Sequence, residues 1–243
     1  MQAVISLLTS HKNWLVLTGA GVSANSGVPT YRDSEGRWRR KQPVTHQEFM
    51  AELSSRQRFW LRNMVGWRFM VDAEPNPAHH ILARLQQLGV VSSLVTQNVD
   101  GLHQKSGTPD DQVIELHGNA GYASCLSCGV TLALEPIKSN FLTHGTIPYC
   151  VDCGGIVKTA TISFGQSMPV TEMQKAEAAS LNCDLFLAIG SSLVVYPAAG
   201  FPKMAKENGA RLVIINEQET DLDPFCDLVL HEQIGTSLAL AAG

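Results

Sequence analysis

Trp14-Leu15-Val16-Leu17-Thr18-Gly19-Ala20-Gly21 sets an unbroken apolar run against a glycine turn. A strand with one wet face alternates polar and apolar residues, so a continuous run indicates a strand covered on both faces, as in a parallel sheet. Working outward, comparable short runs stand at 93–96, 185–189, 211–215 and 227–230. Helical patterns lie between them at 78–89, 171–181 and 198–209, and the last two end near Asn182 and at Gly209, residues suited to helix termini. Strand and helix in alternation predict an α/β fold built on a doubly wound, Rossmann-like parallel sheet.

The residues just past each run point to a site. The first run leads into Gly19-Ala20-Gly21, the second into Gln97-Asn98-Val99-Asp100, the third into Gly190-Ser191-Ser192 and the fourth into Asn216-Glu217. In an open parallel sheet the carboxyl ends of the strands share one edge, so these groups are expected around one nucleotide-binding crevice. The Gly-Ala-Gly turn lets backbone amides and a helix N-terminus approach a pyrophosphate. A full G-x-G-x-x-G with an acid about 20 residues later is missing, which disfavours an ordinary hydride-transferring dehydrogenase.

Cys125-x2-Cys128 and Cys150-x2-Cys153 form two tight pairs that together supply the four-thiolate shell of a structural zinc ion. Cys183 and Cys226 stand alone in apolar surroundings and read as buried fillers. The 18 basic and 22 acidic residues leave a net charge of −4, which gives nucleic acid or an anionic membrane no broad attraction. Residues 1–20 show no signal-peptide pattern and no apolar run is long enough to span a bilayer. With CxxC pairs in such a chain, metal-bound thiolates are favoured over disulfides and a cytoplasmic location is expected.

Taken together, residues 19–32 (Gly-Ala-Gly-Val-Ser-Ala-Asn-Ser-Gly-Val-Pro-Thr-Tyr-Arg), Thr96-Gln-Asn-Val-Asp100, His117-Gly118, the two CxxC pairs, Phe164-Gly165 and residues 190–199 resemble the successive signature segments of the sirtuins. They occur in that family's order and span residues 13–235. Residues 59–67 and 75–79 resemble the class II sirtuins most closely. The resemblance implies NAD-dependent removal of acyl groups from protein lysines, giving nicotinamide, O-acyl-ADP-ribose and free lysine. Loss of nicotinamide develops oxocarbenium character, the acyl oxygen attacks the anomeric carbon, and a base then deprotonates a ribose hydroxyl. The resemblance makes His117 that base, an assignment its neutral-range titration suits. It has Asn98 orient the ribose or a water, Asp100 help to hold the nicotinamide carboxamide, Arg32 position phosphates and ribose, and Tyr31 shield the reacting face. The lesser alternative is that Asn98 and Asp100 simply cap a turn or helix.

Ser191, Ser192, Asn216 and Glu217 are expected at the adenosine end, where a carboxylate near the ribose favours NAD over NADP. Ser23, Gln97, Gly190 and Ile234 complete the expected cofactor contacts. Acyl-lysine is expected beside Ile162, Phe164 and Gly165, with strand-like backbone pairing. In sirtuins that remove succinyl groups, a tyrosine and an arginine of the helical insertion hold the distal carboxylate; alignment places Trp60 and Asn63 there, so that clamp is missing and Arg62 is expected to point about 100° aside. Three positions depart from the family pattern: Thr30 for aspartate, Thr159 for proline and Gln166 for an acid. The basic run 37–41 reads as a solvated loop.

The expected partners are acylated-lysine proteins or peptides, with no nucleic acid and no membrane. The expected layout is an NAD-binding domain from 1–33, 76–118 and 158–243, a helical insertion with the cofactor loop at 34–75, and a zinc-ribbon module at 119–157; the two insertions form a small lobe. Two other readings remain: a mono-ADP-ribosyltransferase or NAD hydrolase using the same pocket, and a zinc-ribbon binding module without chemistry.

Overall fold

The computed structural model describes residues 11–30, 42–235 and 238, leaving out the side chains of 67 and 68. Its main sheet has six parallel strands, β1 (Trp14–Thr18), β2 (Val91–Thr96), β3 (Val113–Glu115), β7 (Leu185–Ile189), β8 (Arg211–Ile215) and β9 (Leu228–Leu230). They lie in the order β3-β2-β1-β7-β8-β9. All five residues of both β1 and β7 are buried, as continuous apolar strands require. Successive side chains point to opposite faces. Trp14, Val16, Leu185 and Leu187 therefore join one core cluster, while Leu15, Leu17, Phe186 and Ala188 join a second on the other side. A fully buried phenylalanine such as Phe186 contributes about 1.5–3 kcal/mol by leaving water.

Helices cover both faces. Seven α-helices are described: α1 (His46–Ala51), α2 (Leu53–Val71), α3 (Pro77–Gln87), α4 (Leu102–Lys105), α5 (Leu134–His144), α6 (Val170–Asn182) and α7 (Phe201–Glu207). Helix α3 starts at a capping box in which the Asn76 side chain accepts from the Ala78 amide and His79 accepts from the Asn76 amide, with Pro77 in the first turn.

The helical pattern at 198–209 divides into a 3₁₀ turn, Ala198–Gly200, and α7, because Pro202 has no N–H and is accommodated only in a first helical turn. The last strand begins at Leu228, one residue later than expected. Asp227 instead spends its carboxylate on the Leu212 amide, Arg211 and Lys206.

A second, antiparallel sheet is built from β4 (Gly118–Cys125), β5 (Thr131–Ala133) and β6 (Val157–Thr161), in the order β5-β4-β6. It continues to Thr161, beyond the residue 157 expected to close the zinc ribbon. With α1, α2 and α5 it encloses a third core cluster that includes Phe49, Phe59, Trp60, Leu134, Cys125 and Cys150.

Candidate functional site

The strand order reverses direction beside β1, and the carboxyl ends of the strands meet there. Thr18 runs into Gly19, whose amide donates to the Ile189 carbonyl at 3.0 Å, while the Gly21 amide donates to the Gly190 carbonyl at 2.8 Å. These two amides are therefore spent on joining β1 to β7, and the helix that follows the turn, Ala20–Ser26, is a 3₁₀ helix of seven residues. The glycines serve close approach: a Cβ on Gly190 would lie 2.4 Å from the Val22 nitrogen.

The strand ends open on one cleft of about 1750 Å³. It gathers Gly19, Ala20, Gly21, Ser23, Gln97, Asn98, Asp100, His117, Gly190, Ser191, Ser192, Asn216, Glu217 and Ile234. Ile162, Phe164, Gly165 and Asn63 line the same space. Tyr31, Arg32 and the basic run 37–41 fall outside the described residues.

His117 is half-buried and bonds through Nδ1 to the Gln97 carbonyl at 2.9 Å. A carbonyl only accepts, so Nδ1 carries the hydrogen and Nε2 is left as the basic nitrogen of the neutral ring. Burial lowers the pKa of His117, opposed in part by that hydrogen bond, and the neutral form is favoured. Gln97 in turn donates its side-chain amide to Ser191 at 2.8 Å, linking the ends of β2 and β7.

Asn98 donates through Nδ2 to the Gly19 carbonyl and to Ser23 Oγ, each at 3.1 Å. Both amide hydrogens are thus committed, and Oδ1 is the atom it can present to a hydroxyl or water. Asp100 accepts from Ser23 Oγ at 2.7 Å and from the Leu102 amide at 3.0 Å, so it ties down the first amide of α4 while lining the cleft. Burial raises its pKa against those two bonds.

Behind this layer lie two histidines to which the sequence assigned no role. His79 Nε2 meets Ser23 Oγ at 3.4 Å, and His103 Nε2 meets Thr18 Oγ1 at 2.9 Å. Burial, and secondarily a neighbouring histidine in each case, pushes them down to about 4 and about 3, so both are neutral packing and hydrogen-bonding groups. The signal for His79 was its place in the Asn76 capping box.

The acyl end requires a correction. Trp60 is 0 % exposed and packs in the third cluster edge-on to Phe59, away from the cleft. On α2 the cleft is lined instead by Phe59, Leu61, Arg62, Asn63, Val65, Gly66, Phe69 and Met70. Trp60 and Met64, four residues apart, are the buried stripe, and the helical period turns Leu61, Val65 and Phe69 outward. Arg62 borders the cleft, with its guanidinium donating to the Gln42 carbonyl at 2.7 Å. Asn63 Nδ2 is held by the Phe59 carbonyl at 2.9 Å. Gln166, in place of the usual acid, accepts from the Ser163 amide at 3.1 Å.

At the end of β4 the sulfur atoms of Cys125, Cys128, Cys150 and Cys153 all lie within 4.8 Å of one another. Cys125 and Cys153 are 3.5 Å apart, and Cys128 and Cys150 are 3.7 Å apart. Tetrahedral zinc with bonds of about 2.3 Å needs sulfurs about 3.8 Å apart, so the four residues fit the ion and leave no position for water. Cys183 is buried and Cys226 partly so; neither belongs to this group.

A model described as the Sir2 family matches residues 19–197. An NAD-dependent protein deacetylase of Rhodopseudomonas palustris is 45% identical over 237 residues, 97% of this chain and 94% of the relative. An NAD-dependent protein deacylase of Archaeoglobus fulgidus is 38% identical over 239 residues, covering 96% and 90%. Among solved structures, a Sir2–p53 peptide–NAD+ complex superposes with a TM-score of 0.88 at 33% identity, covering 98% of this chain and 95% of that one. A Sir2Tm structure bound to a propionylated peptide gives 0.87 at 32% identity with the same coverage.

Proposed function

The chain belongs to the Sir2 family, and on that premise we propose that it removes acyl groups from protein lysines at the expense of NAD, releasing nicotinamide, O-acyl-ADP-ribose and free lysine. One observation carries the reading: a neutral histidine with a fixed tautomer shares a single cleft with polar strand ends at one side and an apolar wall at the other. NAD, when bound, supplies the ribosyl carbon that takes up the acyl oxygen as nicotinamide leaves. His117 Nε2 takes the proton of a ribose hydroxyl, a role worth about 10²- to 10⁴-fold in rate. Asn98 Oδ1 would orient a hydroxyl or water, and Asp100, fixed by Ser23, would help to hold the carboxamide. Glu217, exposed in the cleft, favours a free 2′-hydroxyl over a phosphate. Arg32 and Tyr31 keep the roles that the family resemblance implies.

The four cysteines hold one zinc ion, whose closed shell does no chemistry and stabilises the small lobe. In this reading that lobe comprises 34–75 and 119–157, the larger domain comprises 1–33, 76–118 and 158–243, and the class II members are the nearest subgroup. No helix among the described residues is long and apolar enough to cross a membrane, and action on cytoplasmic acyl-lysine proteins is part of the proposal.

The acyl preference follows from the wall. Leu61, Val65 and Phe69 line the cleft without a carboxylate clamp of the expected form, and an uncompensated carboxylate in apolar surroundings is costly. Neutral or longer chains are therefore preferred, acetyl-lysine is accepted at some rate, and succinyl-lysine is poor. The test compares kcat/KM for acetyl-, butyryl-, lipoyl- and succinyl-lysine on one peptide, with mass spectrometry of the nucleotide product. Succinyl as the best substrate refutes the acyl assignment, and its loss on mutating Arg62 identifies the replacement partner. Nicotinamide release without O-acyl-ADP-ribose refutes deacylation in favour of ADP-ribosyl transfer or NAD hydrolysis.

A further inference from the structure

Lys158 is 0 % exposed in β6, although lysine is a residue that folded chains keep in water. Its Nζ donates to the Thr161 carbonyl, with longer contacts of 3.4 Å to the Thr159 carbonyl and to Thr161 Oγ1. It also stands 5.1 Å from the centroid of the Phe59 ring. Among the described residues its hydrogen-bond partners are all oxygens of its own strand and none is a carboxylate. Burying an ammonium group without an opposite charge is costly, and desolvation correspondingly lowers its pKa to about 8.

The partners explain why the group is useful. Phe59 comes from α2 and Thr161 from the end of β6, and both line the cleft beside Ile162. The Ile162 amide donates to the His117 carbonyl at 2.8 Å, so the strand that Lys158 fastens is the one on which the base is seated. A cation attracted both by a ring face and by a carbonyl dipole sets the distance between the two elements that carry them.

We propose that Lys158 is a positioning residue for the acyl-lysine: its ammonium holds the Phe59 ring and the Thr161 backbone together as one wall and so sets the width of the slot the acyl-lysine enters. The inference rests on the deacylase reading. It assigns the residue an effect on substrate peptide rather than on NAD, since Lys158 touches none of the strand ends at the nucleotide side.

The experiment measures KM for acetyl-lysine peptide, KM for NAD, kcat and melting temperature for wild type, Lys158→Met and Lys158→Arg. The methionine variant keeps length and bulk but loses the charge, and is expected to raise the peptide KM about tenfold with the NAD KM within twofold. The arginine variant, which retains the cation, is expected to stay within about threefold of wild type. Lys158→Gln, a neutral donor, replaces methionine if that variant does not fold. Wild-type kinetics in a folded neutral variant, equal rises in both KM values, or failure of both neutral variants to fold would overturn the proposal and leave Lys158 a structural residue. An inactive wild type would instead overturn the deacylase reading, and this inference with it.

Discussion

Replacing Gly118 by alanine puts a methyl group where the chain has no room for one. Gly118 has φ +72°, and a Cβ there would lie 1.9 Å from the Ala160 carbonyl oxygen and 3.0 Å from its carbonyl carbon. An ordinary carbon–oxygen contact is about 3.3 Å, so the paired ends of β4 and β6 must move apart by about 1.4 Å. The left-handed backbone costs an alanine about 1–2 kcal/mol, overpacking against backbone adds about 1–3 kcal/mol, and loss of the Ile162 amide bond to the His117 carbonyl adds about 1 kcal/mol. The total, about 3–6 kcal/mol, is a large share of the 5–15 kcal/mol typical of a folded domain. At about 2–4 °C per kcal/mol for a chain of this size, the melting temperature falls by roughly 6–24 °C. Gly89→Ala is the control: its φ is +73° but nothing lies within 4 Å of the new Cβ, so only the backbone cost applies, roughly 2–8 °C. Turnover suffers separately, because a base displaced by about 1 Å loses on the order of 10²-fold. Scanning calorimetry of both variants, with nicotinamide release at saturating NAD and peptide, reads both effects. If Gly118→Ala melts with Gly89→Ala and turns over like wild type, the seating of His117 against β6 has been misunderstood.

Other consequences are as direct. His117→Ala is expected to lose about 10²- to 10⁴-fold in turnover while still binding NAD by calorimetry, and retention of more than about a tenth of activity contradicts the base assignment. Because burial lowers the pKa of His117 and its neutral form is the active one, activity is lost only as pH falls through that lowered value; the acid limb of kcat/KM is expected below 6.5, and a limb above it would refute the burial argument. Cys150→Ser is expected to release zinc, lower the melting temperature and solubility, and lose activity as a result. An inactive Cys150→Ser protein that remains folded and zinc-loaded would show that the site does more than hold the lobe.

The parallel strands were legible because burial on both faces leaves a continuous apolar run: β1, β7 and β8 begin and end where residues 14–18, 185–189 and 211–215 predicted. Strand β3 was not, since three residues, Val-Ile-Glu, with a carboxylate at one end carry no periodicity to read. The strand-end motifs could be placed on one edge by topology alone, and they share one cleft. Trp60 was misplaced because aligning a short motif fixes sequence spacing but not which side of a helix faces the core. The aromatic residue went to the larger apolar sink, among Phe49, Phe59 and Leu134. Lys158 and His103 left no trace, because their surroundings come from residues distant in sequence: Phe59 lies against Lys158, and Thr18 against His103.

In the proposed layout the two insertions leave and rejoin the large sheet at the same edge. One departs after β1 and returns at the start of α3; the other departs after β3 and returns at the start of α6. In a parallel sheet a crossover helix starts at the carboxyl edge, so lengthening or exchanging either insertion leaves every strand register untouched. The part of the cleft wall that α2 supplies is thereby separable from the strand ends. A graft of residues 42–75 from a relative with another acyl preference is a change of lining rather than of scaffold.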